Sequence, residues 1–145
     1  MKPVSAAAEF YTGNFILLAD DDIDDQELLV EALSKVQPGI HIHSVTNGYK
    51  AISFLNNLPA DVSPCLIVLD YNLPEINGSE VLCAIKQIKK FDGVTKVIWS
   101  TSNSPVFRKE CMDLGAKAYL VKPSDINGIY DIAHFLLNLC GIKKS

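Results

Sequence analysis

LLADDDIDDQELL, residues 17–29, brings together an apolar run, an acidic cluster and the start of an amphipathic pattern. The cluster has five aspartates within six positions: Asp20, Asp21, Asp22, Asp24 and Asp25. The apolar run is typical of a strand buried on both faces, and the pattern after it is typical of a helix. The cluster is open to three interpretations: a solvated acidic loop, a helix N-terminus or a divalent-cation pocket.

The same alternation of a short apolar run and an amphipathic pattern occurs five times along the chain. The predicted strands are Phe15–Ala19, His41–Val45, Leu66–Leu69, Val97–Ser100 and Ala118–Val121. The predicted helices follow each strand, and three of them are bounded as Gly48–Leu58, Gly78–Lys89 and Asp125–Leu139. Five β–α units in succession predict a parallel sheet with helices on both faces.

Length and composition predict a single globular domain. The chain has 145 residues, of which 48% are hydrophobic and 21% charged. We predict an N-terminal arm at residues 1–13, a domain at 14–140 and a C-terminal tail at 141–145, with no second periodic block that could form an output domain. A net charge of -4 argues against direct nucleic-acid binding.

The chain has neither the apolar core of a signal peptide nor an apolar run of membrane-spanning length. We therefore expect a cytoplasmic protein that does not enter a membrane. The four cysteines, Cys65, Cys83, Cys111 and Cys140, are widely spaced, lie in apolar surroundings and form no CxxC pair. We predict that all four are reduced core residues.

Polar residues stand at the carboxyl ends of the predicted strands, where open parallel sheets bind their ligands. The first strand ends at Asp20-Asp21, the third at Asp70, the fourth at Ser100-Thr101, and the fifth is followed by Lys122-Pro123. Carboxylates gathered there repel one another by roughly 3–4 kcal/mol per pair at 4–5 Å, so the cluster must take up protons or a cation. An all-oxygen rim site suits Mg²⁺, and Asp70 is the best candidate nucleophile.

Three stretches and one position resemble the response-regulator receiver domain, the CheY-like phosphoacceptor of two-component signalling. They are LLADD (17–21), VLDYNLPEINGSEVL (68–82), GAKAYLVKP (115–123) and the hydroxyl that ends the fourth strand. The resemblance covers roughly residues 14–140 and implies a (βα)5 doubly wound, five-stranded parallel sheet of the flavodoxin/CheY-like type. The long connection LPADVSP and the STSNS stretch resemble the corresponding segments of single-domain receivers that are paired with phytochrome-type kinases.

The resemblance also implies a function: signalling through protein–protein contacts rather than enzymatic turnover. Asp70 would accept a phosphoryl group, with Mg²⁺, from a sensor histidine kinase, a histidine phosphotransfer protein or a small donor such as acetyl phosphate. The downstream partner is not specified by the sequence, and a homodimer is one of the assemblies that activation could produce.

Carried over position by position, the resemblance implies a metal site. Asp21 is the direct ligand, Asp20 acts through water, Asp70 is both phosphoacceptor and ligand, and Asn72 offers its backbone carbonyl. Asp22, Asp24 and Asp25 are expected instead to stabilise the start of the first helix, where carboxylates favour the positive end of the helix dipole.

Lys122 matches the family's lysine, and the Lys122-Pro123 bond is expected to be cis. Tyr119 matches the aromatic switch position. Gapless alignment from Asp70 forward and from Lys122 backward gives Ser100 as the switch hydroxyl, with Thr101 as the alternative and otherwise as the bulky neighbour that governs access to the phosphoryl group.

Two other functions fit parts of the pattern. A phosphatase of the haloacid-dehalogenase type also uses a strand-ending aspartate, but it favours a second aspartate two residues later, where this chain has Asn72. A scaffolding pseudo-receiver usually loses the acids or the lysine, whereas this chain keeps all of them.

Overall fold

A computed structural model describes residues 15–141, and its sheet has five parallel strands in the order β2-β1-β3-β4-β5. The strands are β1 (Phe15–Ala19), β2 (His41–Val45), β3 (Leu66–Asp70), β4 (Thr95–Ser100) and β5 (Ala118–Val121). This is the predicted doubly wound architecture. The predicted arm at 1–13 and residues 142–145 of the predicted tail lie outside the described part of the chain.

Five helices cover the two faces of the sheet. They are α1 (Ile23–Val36), α2 (Gly48–Asn56), α3 (Gly78–Lys86), α4 (Pro105–Asp113) and α5 (Ile126–Leu139). The apolar stripes of α1 and α5 pack on one face around Trp99, and those of α2, α3 and α4 pack on the other. No helix between residues 15 and 141 is long and apolar enough to cross a membrane.

Two helices end earlier than predicted. The second ends at Asn56 rather than Leu58, and the third ends at Lys86 rather than Lys89. After α3 the backbone becomes extended at Ile88 and then forms a 3₁₀ turn at Lys89–Phe91. Phe91 is fully buried by this turn, so its packing in the core accounts for the departure from the helix.

Each helix begins at a side-chain cap that satisfies one of its free backbone N–H groups. Asp22 caps α1, Asn47 caps α2, Asn77 caps α3 in a capping box with Glu80, Ser104 caps α4, and Asp125 caps α5. Because all five of these caps stand at the end of a β–α loop, they fix where the chain leaves the rim of the sheet.

The strand order places a crevice at the carboxyl ends of β1 and β3. The chain leaves β1 towards β2 on one side and returns to β3 on the other, so the loops after β1 and β3 diverge at this point. Asp20 follows β1 and Asp70 ends β3, which puts the predicted site residues at the switch point.

The expected cis bond between Lys122 and Pro123 is wrong, because no peptide bond among residues 15–141 is cis. A proline peptide bond prefers the trans form by about 0.5–1 kcal/mol, so cis needs specific support from its surroundings. Here the backbone N–H of Lys122 donates a 2.7 Å hydrogen bond to the Ser100 carbonyl, and the lysine side chain reaches the site from a trans bond.

The cysteine prediction is also wrong for three of the four residues. Cys65, which precedes β3, and Cys140, which follows α5, form a disulfide with their Cα atoms 5.1 Å apart. Cys83 is exposed, and only Cys111 is a free, buried core thiol as predicted. The two bonded cysteines are 75 residues apart, and only the packing of α5 beside β3 brings them together.

Candidate functional site

Three carboxylates meet at the carboxyl ends of β1 and β3. Asp20 is fully buried, Asp70 is 4% exposed and Asp21 is exposed. One carboxylate oxygen from each lies within 4.8 Å of the other two. The predicted convergence of the acidic pair with Asp70 is therefore present in the fold.

Lys122 reaches this cluster from the end of β5. Its Nζ lies 2.9 Å from Asp20 Oδ2, 2.9 Å from Asp70 Oδ2 and 2.8 Å from Asp25 Oδ2, and its side chain is 7% exposed. Burial by itself would lower the pKa of Lys122, but the hydrogen bonds to the three carboxylates raise it above its ordinary value. The ammonium is therefore a permanent positive charge in the site.

Asp22 caps α1 and Asp24 and Asp25 lie in its first turn, as expected, but Asp25 also has a second contact that was not predicted. Asp22 caps α1 by accepting a 3.1 Å hydrogen bond from the backbone N–H of Asp25. The Asp25 carboxylate accepts a 2.8 Å hydrogen bond from Lys122 Nζ, 97 residues later in the chain. The helix-start pattern did not contain this information, because Asp25 acquires its partner only when β5 joins the sheet.

Negative charge is in excess around Lys122. Burial raises the pKa of Asp20 to about 7, although hydrogen bonds from Lys122 and from the backbone N–H of Asp22 act against the rise. Burial disfavours the ionised form of this carboxyl group, and a nearby cation would stabilise that form. The cluster therefore favours cation binding. Oxygen ligands only, partly exposed at a rim, fit a hard divalent ion that keeps some of its water.

Ser100 lies beside Asp70 at the end of β4, whereas Thr101 is exposed. The Ser100 hydroxyl oxygen accepts a 3.1 Å hydrogen bond from the backbone N–H of Ser102 and lies 3.4 Å from Asn72 Nδ2. The backbone N–H of Asn72 in turn donates to Asp70 Oδ1 at 3.0 Å. Of the two adjacent hydroxyls, Ser100 is the one linked to Asp70 through Asn72.

Tyr119 lies inward, with 4% of its surface exposed. Its hydroxyl donates a 2.8 Å hydrogen bond to the Ser102 carbonyl, and the Arg108 guanidinium lies 5.0 Å from its ring centre. These contacts connect the tyrosine to the loop that follows Ser100 and to α4.

Two residues that support the site were not predicted. Gln26 is buried in α1, and its Nε2 donates to the carbonyls of Asp20 at 2.8 Å and Val45 at 2.7 Å, which ties α1 to the ends of β1 and β2. A Cβ at Gly78 would lie 2.7 Å from the Asp70 carbonyl oxygen, so only glycine allows α3 to begin this close to Asp70. The sequence held one signal for Gln26: it is a polar residue that falls in phase with the apolar stripe of α1.

Trp99 lies beneath the lysine. Its ring is fully buried, and Lys122 Nζ is 4.8 Å from the ring centre, a distance at which an ammonium is attracted to an indole. The residue belongs to the core on the side of the sheet covered by α1 and α5. It also forms one wall of the space that encloses the ammonium.

The chain matches the response regulator receiver domain family over residues 16–134. A phosphoacceptor carboxylate, an acidic pair and a lysine at one rim are the features on which the resemblance rested. The chain belongs to this family: it is a receiver domain of the two-component response regulators, a signalling domain.

Individual relatives agree with this assignment. The two-component response regulator ORR12 of Oryza sativa subsp. japonica is 30% identical over 121 residues, which are 83% of this chain and 96% of the relative. The phosphorylated cyanobacterial phytochrome response regulator RcpA superposes with a TM-score of 0.81 at 27% identity, covering 92% of this chain and 98% of the other. The Mn²⁺-bound form of the response regulator Rcp1 gives 0.77 at 26% identity, covering 87% and 93%.

Proposed function

We propose that this receiver domain is phosphorylated on Asp70 and that Mg²⁺ is the ion bound beside Asp70. The observation that carries the proposal is the position of Asp70, a nearly buried carboxylate at the switch point, 2.9 Å from the Lys122 ammonium and grouped with Asp20 and Asp21. A buried carboxylate beside an ammonium, with further oxygen ligands next to it for a divalent cation, is suited to attack phosphorus.

In the reaction, a carboxylate oxygen of Asp70 attacks the phosphorus of a phosphohistidine. The P–N bond breaks with its electron pair leaving on the imidazole, and an acyl phosphate forms on Asp70. Lys122 stays charged throughout and offsets the negative charge of the phosphoryl oxygens. The Ser100 hydroxyl, which is linked to Asp70 through Asn72, would donate a hydrogen bond to a phosphoryl oxygen.

The metal ligands we propose are the carboxylates of Asp21 and Asp70, Asp20 through a water molecule, and the backbone carbonyl of Asn72. Bound there, Mg²⁺ would neutralise phosphoryl oxygens during the transfer. Mg²⁺ and Mn²⁺ both accept oxygen ligands, so the similarity to the Mn²⁺-bound form of Rcp1 supports a divalent ion at this place.

We propose that the signal passes from Ser100 through Tyr119 to the surface formed by α4, β5 and α5. Tyr119 contacts the loop after Ser100 and packs against Arg108 of α4. These three elements carry exposed large apolar side chains: Val106 in α4, Val121 in β5, and Ile126 and Phe135 in α5. Exposed apolar groups suit a protein partner.

The proposed phosphodonor is a sensor histidine kinase or a histidine phosphotransfer protein. We include phytochrome-type kinases because similar structures belong to phytochrome response regulators. We also propose that the protein is cytoplasmic and that it signals without catalysing repeated turnover of a substrate.

The experiment is labelling with radioactive acetyl phosphate in the presence of Mg²⁺. The unchanged protein should incorporate label, and Asp70→Ala should fall to background because the attacking oxygen is gone. Asp24→Ala is the matched control, since Asp24 lies on the first turn of α1 and should leave labelling unchanged. Label retained by Asp70→Ala would contradict the proposal, and sustained release of inorganic phosphate from small phosphate esters would indicate a phosphatase instead.

A further inference from the structure

One of the three carboxylates on Lys122 is not among the proposed metal ligands. Asp25 Oδ2 lies 2.8 Å from Lys122 Nζ, and the Asp25 side chain is 29% exposed. The backbone at Asp25 is fixed because its N–H donates to the capping carboxylate of Asp22. The backbone that carries the Asp25 carboxylate therefore belongs to the capped start of α1 and not to β3, which carries Asp70.

The Lys122 ammonium is surrounded by three carboxylates and one aromatic ring. Asp20, Asp25 and Asp70 surround its Nζ at 2.8–2.9 Å, and the Trp99 ring lies 4.8 Å away. With 7% of the side chain exposed, little water reaches the charge. A phosphoryl group that forms on Asp70 can bind this ammonium only in competition with the carboxylates already there.

We propose that Asp25 is a positioning residue, which holds the Lys122 ammonium and competes with the phosphoryl group for it. The inference rests on the proposed function, because the competitor is the phosphoryl group on Asp70. Asp25 carries a negative charge that attracts a cation to the site and repels a phosphoryl group. Its removal should therefore weaken metal binding and strengthen binding of a phosphoryl mimic.

The test is a pair of titrations on Asp25→Asn: Mg²⁺ alone, then beryllofluoride at saturating Mg²⁺. We expect the Kd for Mg²⁺ to rise about threefold to tenfold and the Kd for beryllofluoride to fall by a similar factor, since one nearby charge is lost. The opposite signs are the informative result, because general damage to the site would weaken both ligands.

The matched control is Asp24→Asn. It removes the same charge from the same helical turn, and no hydrogen bond or ion pair links Asp24 to Lys122 among the contacts of the described chain. Both dissociation constants should change less than twofold in this variant. A pair of variants that behave alike would show that only the overall field matters and would overturn the proposal.

A spectroscopic measurement locates the effect at the lysine. Trp99 is the chain's single tryptophan, so its indole N–H gives one resonance in a ¹H–¹⁵N spectrum. Asp25→Asn should shift that resonance, because the ammonium beside the ring loses one anchor, whereas Asp24→Asn should leave it in place. In a Lys122→Met background, Asp25→Asn should cause no further shift.

The outcomes separate the two proposals. Weaker binding of both ligands by Asp25→Asn would mean that the residue only supports the fold and would overturn the positioning role, with the phosphoacceptor role of Asp70 intact. If the unchanged protein binds neither Mg²⁺ nor beryllofluoride, the proposed function is overturned, and the role of Asp25 with it.

Discussion

At the scale of single residues, the site is defined by an imbalance of charge. Asp20, Asp25 and Asp70 share the Lys122 ammonium, and Asp21 adds a further carboxylate nearby. One positive charge cannot compensate all of them. Without a metal, the excess of negative charge favours a bound proton, and the pKa of Asp20 is raised to about 7.

The first prediction concerns the pH dependence of stability without metal. Burial raises the pKa of Asp20 to about 7, whereas an unfolded aspartate titrates near pH 4. Between these values the folded protein binds more protons than the unfolded chain, so its stability falls as the pH rises. In urea denaturation with EDTA, we expect the free energy of unfolding to drop by about 1–3 kcal/mol from about pH 5 to pH 8.

Asp20→Asn is the control for this prediction, because an amide is neutral at every pH in the window. The free energy of unfolding of the variant, minus that of the unchanged protein, should rise with pH. The rise should level off above the folded pKa of Asp20. Parallel curves for the two proteins would show that Asp20 is not the group responsible.

The second prediction separates the two adjacent hydroxyls. Ser100 is buried and linked to Asp70 through Asn72, whereas Thr101 is exposed. Ser100→Ala should weaken beryllofluoride binding about tenfold to 150-fold, the equivalent of one hydrogen bond to a charged group. Thr101→Ala should change the affinity less than twofold and act instead on the rate of dephosphorylation. The reverse ranking of affinities would make Thr101 the switch hydroxyl.

At the scale of the elements, sequence reasoning worked where the physics is local. Runs of four or five residues predicted all five strands to within two residues, and β1 and β3, which are buried along their whole length, left the least ambiguity. The start of α4 is likewise local, because Ser104 caps it and Pro105 occupies its first position. The early end of α3 was not, because it depends on Phe91 reaching the core, a tertiary contact that overrides the helical pattern.

The third prediction concerns the link between two elements. The disulfide between Cys65 and Cys140 joins the start of β3 to the end of α5 across 75 residues of chain. A cross-link of this span restricts the unfolded chain and typically contributes about 2–4 kcal/mol. We expect Cys140→Ser to lower the free energy of unfolding by this amount without reductant, and by much less with reductant present.

Cys83→Ser is the matched control, because Cys83 is free and exposed. It should behave as the unchanged protein does with and without reductant. If reductant leaves the unchanged protein's unfolding curve in place, the two thiols are not bonded in solution, and the expectation of reduced cysteines would hold after all.

At the scale of the whole molecule, the fold and most of the candidate site could be predicted, and what was missed has one cause. Asp20, Asp21, Asp70, Ser100 and Lys122 each end or follow a strand, and a parallel sheet brings strand ends to one rim whatever the loops do. The roles of Asp25, Gln26 and Cys140 depend on which helix packs beside which strand. A local pattern can mark such a residue, as the apolar stripe of α1 marks Gln26, but the partners of these residues follow only from the assembled fold.

The last prediction follows from the assembly of the site by folding. The proposed ligands come from the ends of β1 and β3, which are some fifty residues apart in the chain and adjacent only in the sheet, so Mg²⁺ should bind the folded state alone. At a concentration about 100 times its Kd, such an ion adds about 2.7 kcal/mol of stability. For a chain of this length, that should raise the Tm by about 5–10 °C in a thermal melt. Asp21→Asn should lose most of this rise, because a ligand is removed, whereas Asp24→Asn, which loses the same charge outside the cluster, should keep it. An equal rise in both variants would mean that Mg²⁺ acts through the general charge of the surface, and the rim of β1 and β3 would then not be its binding site.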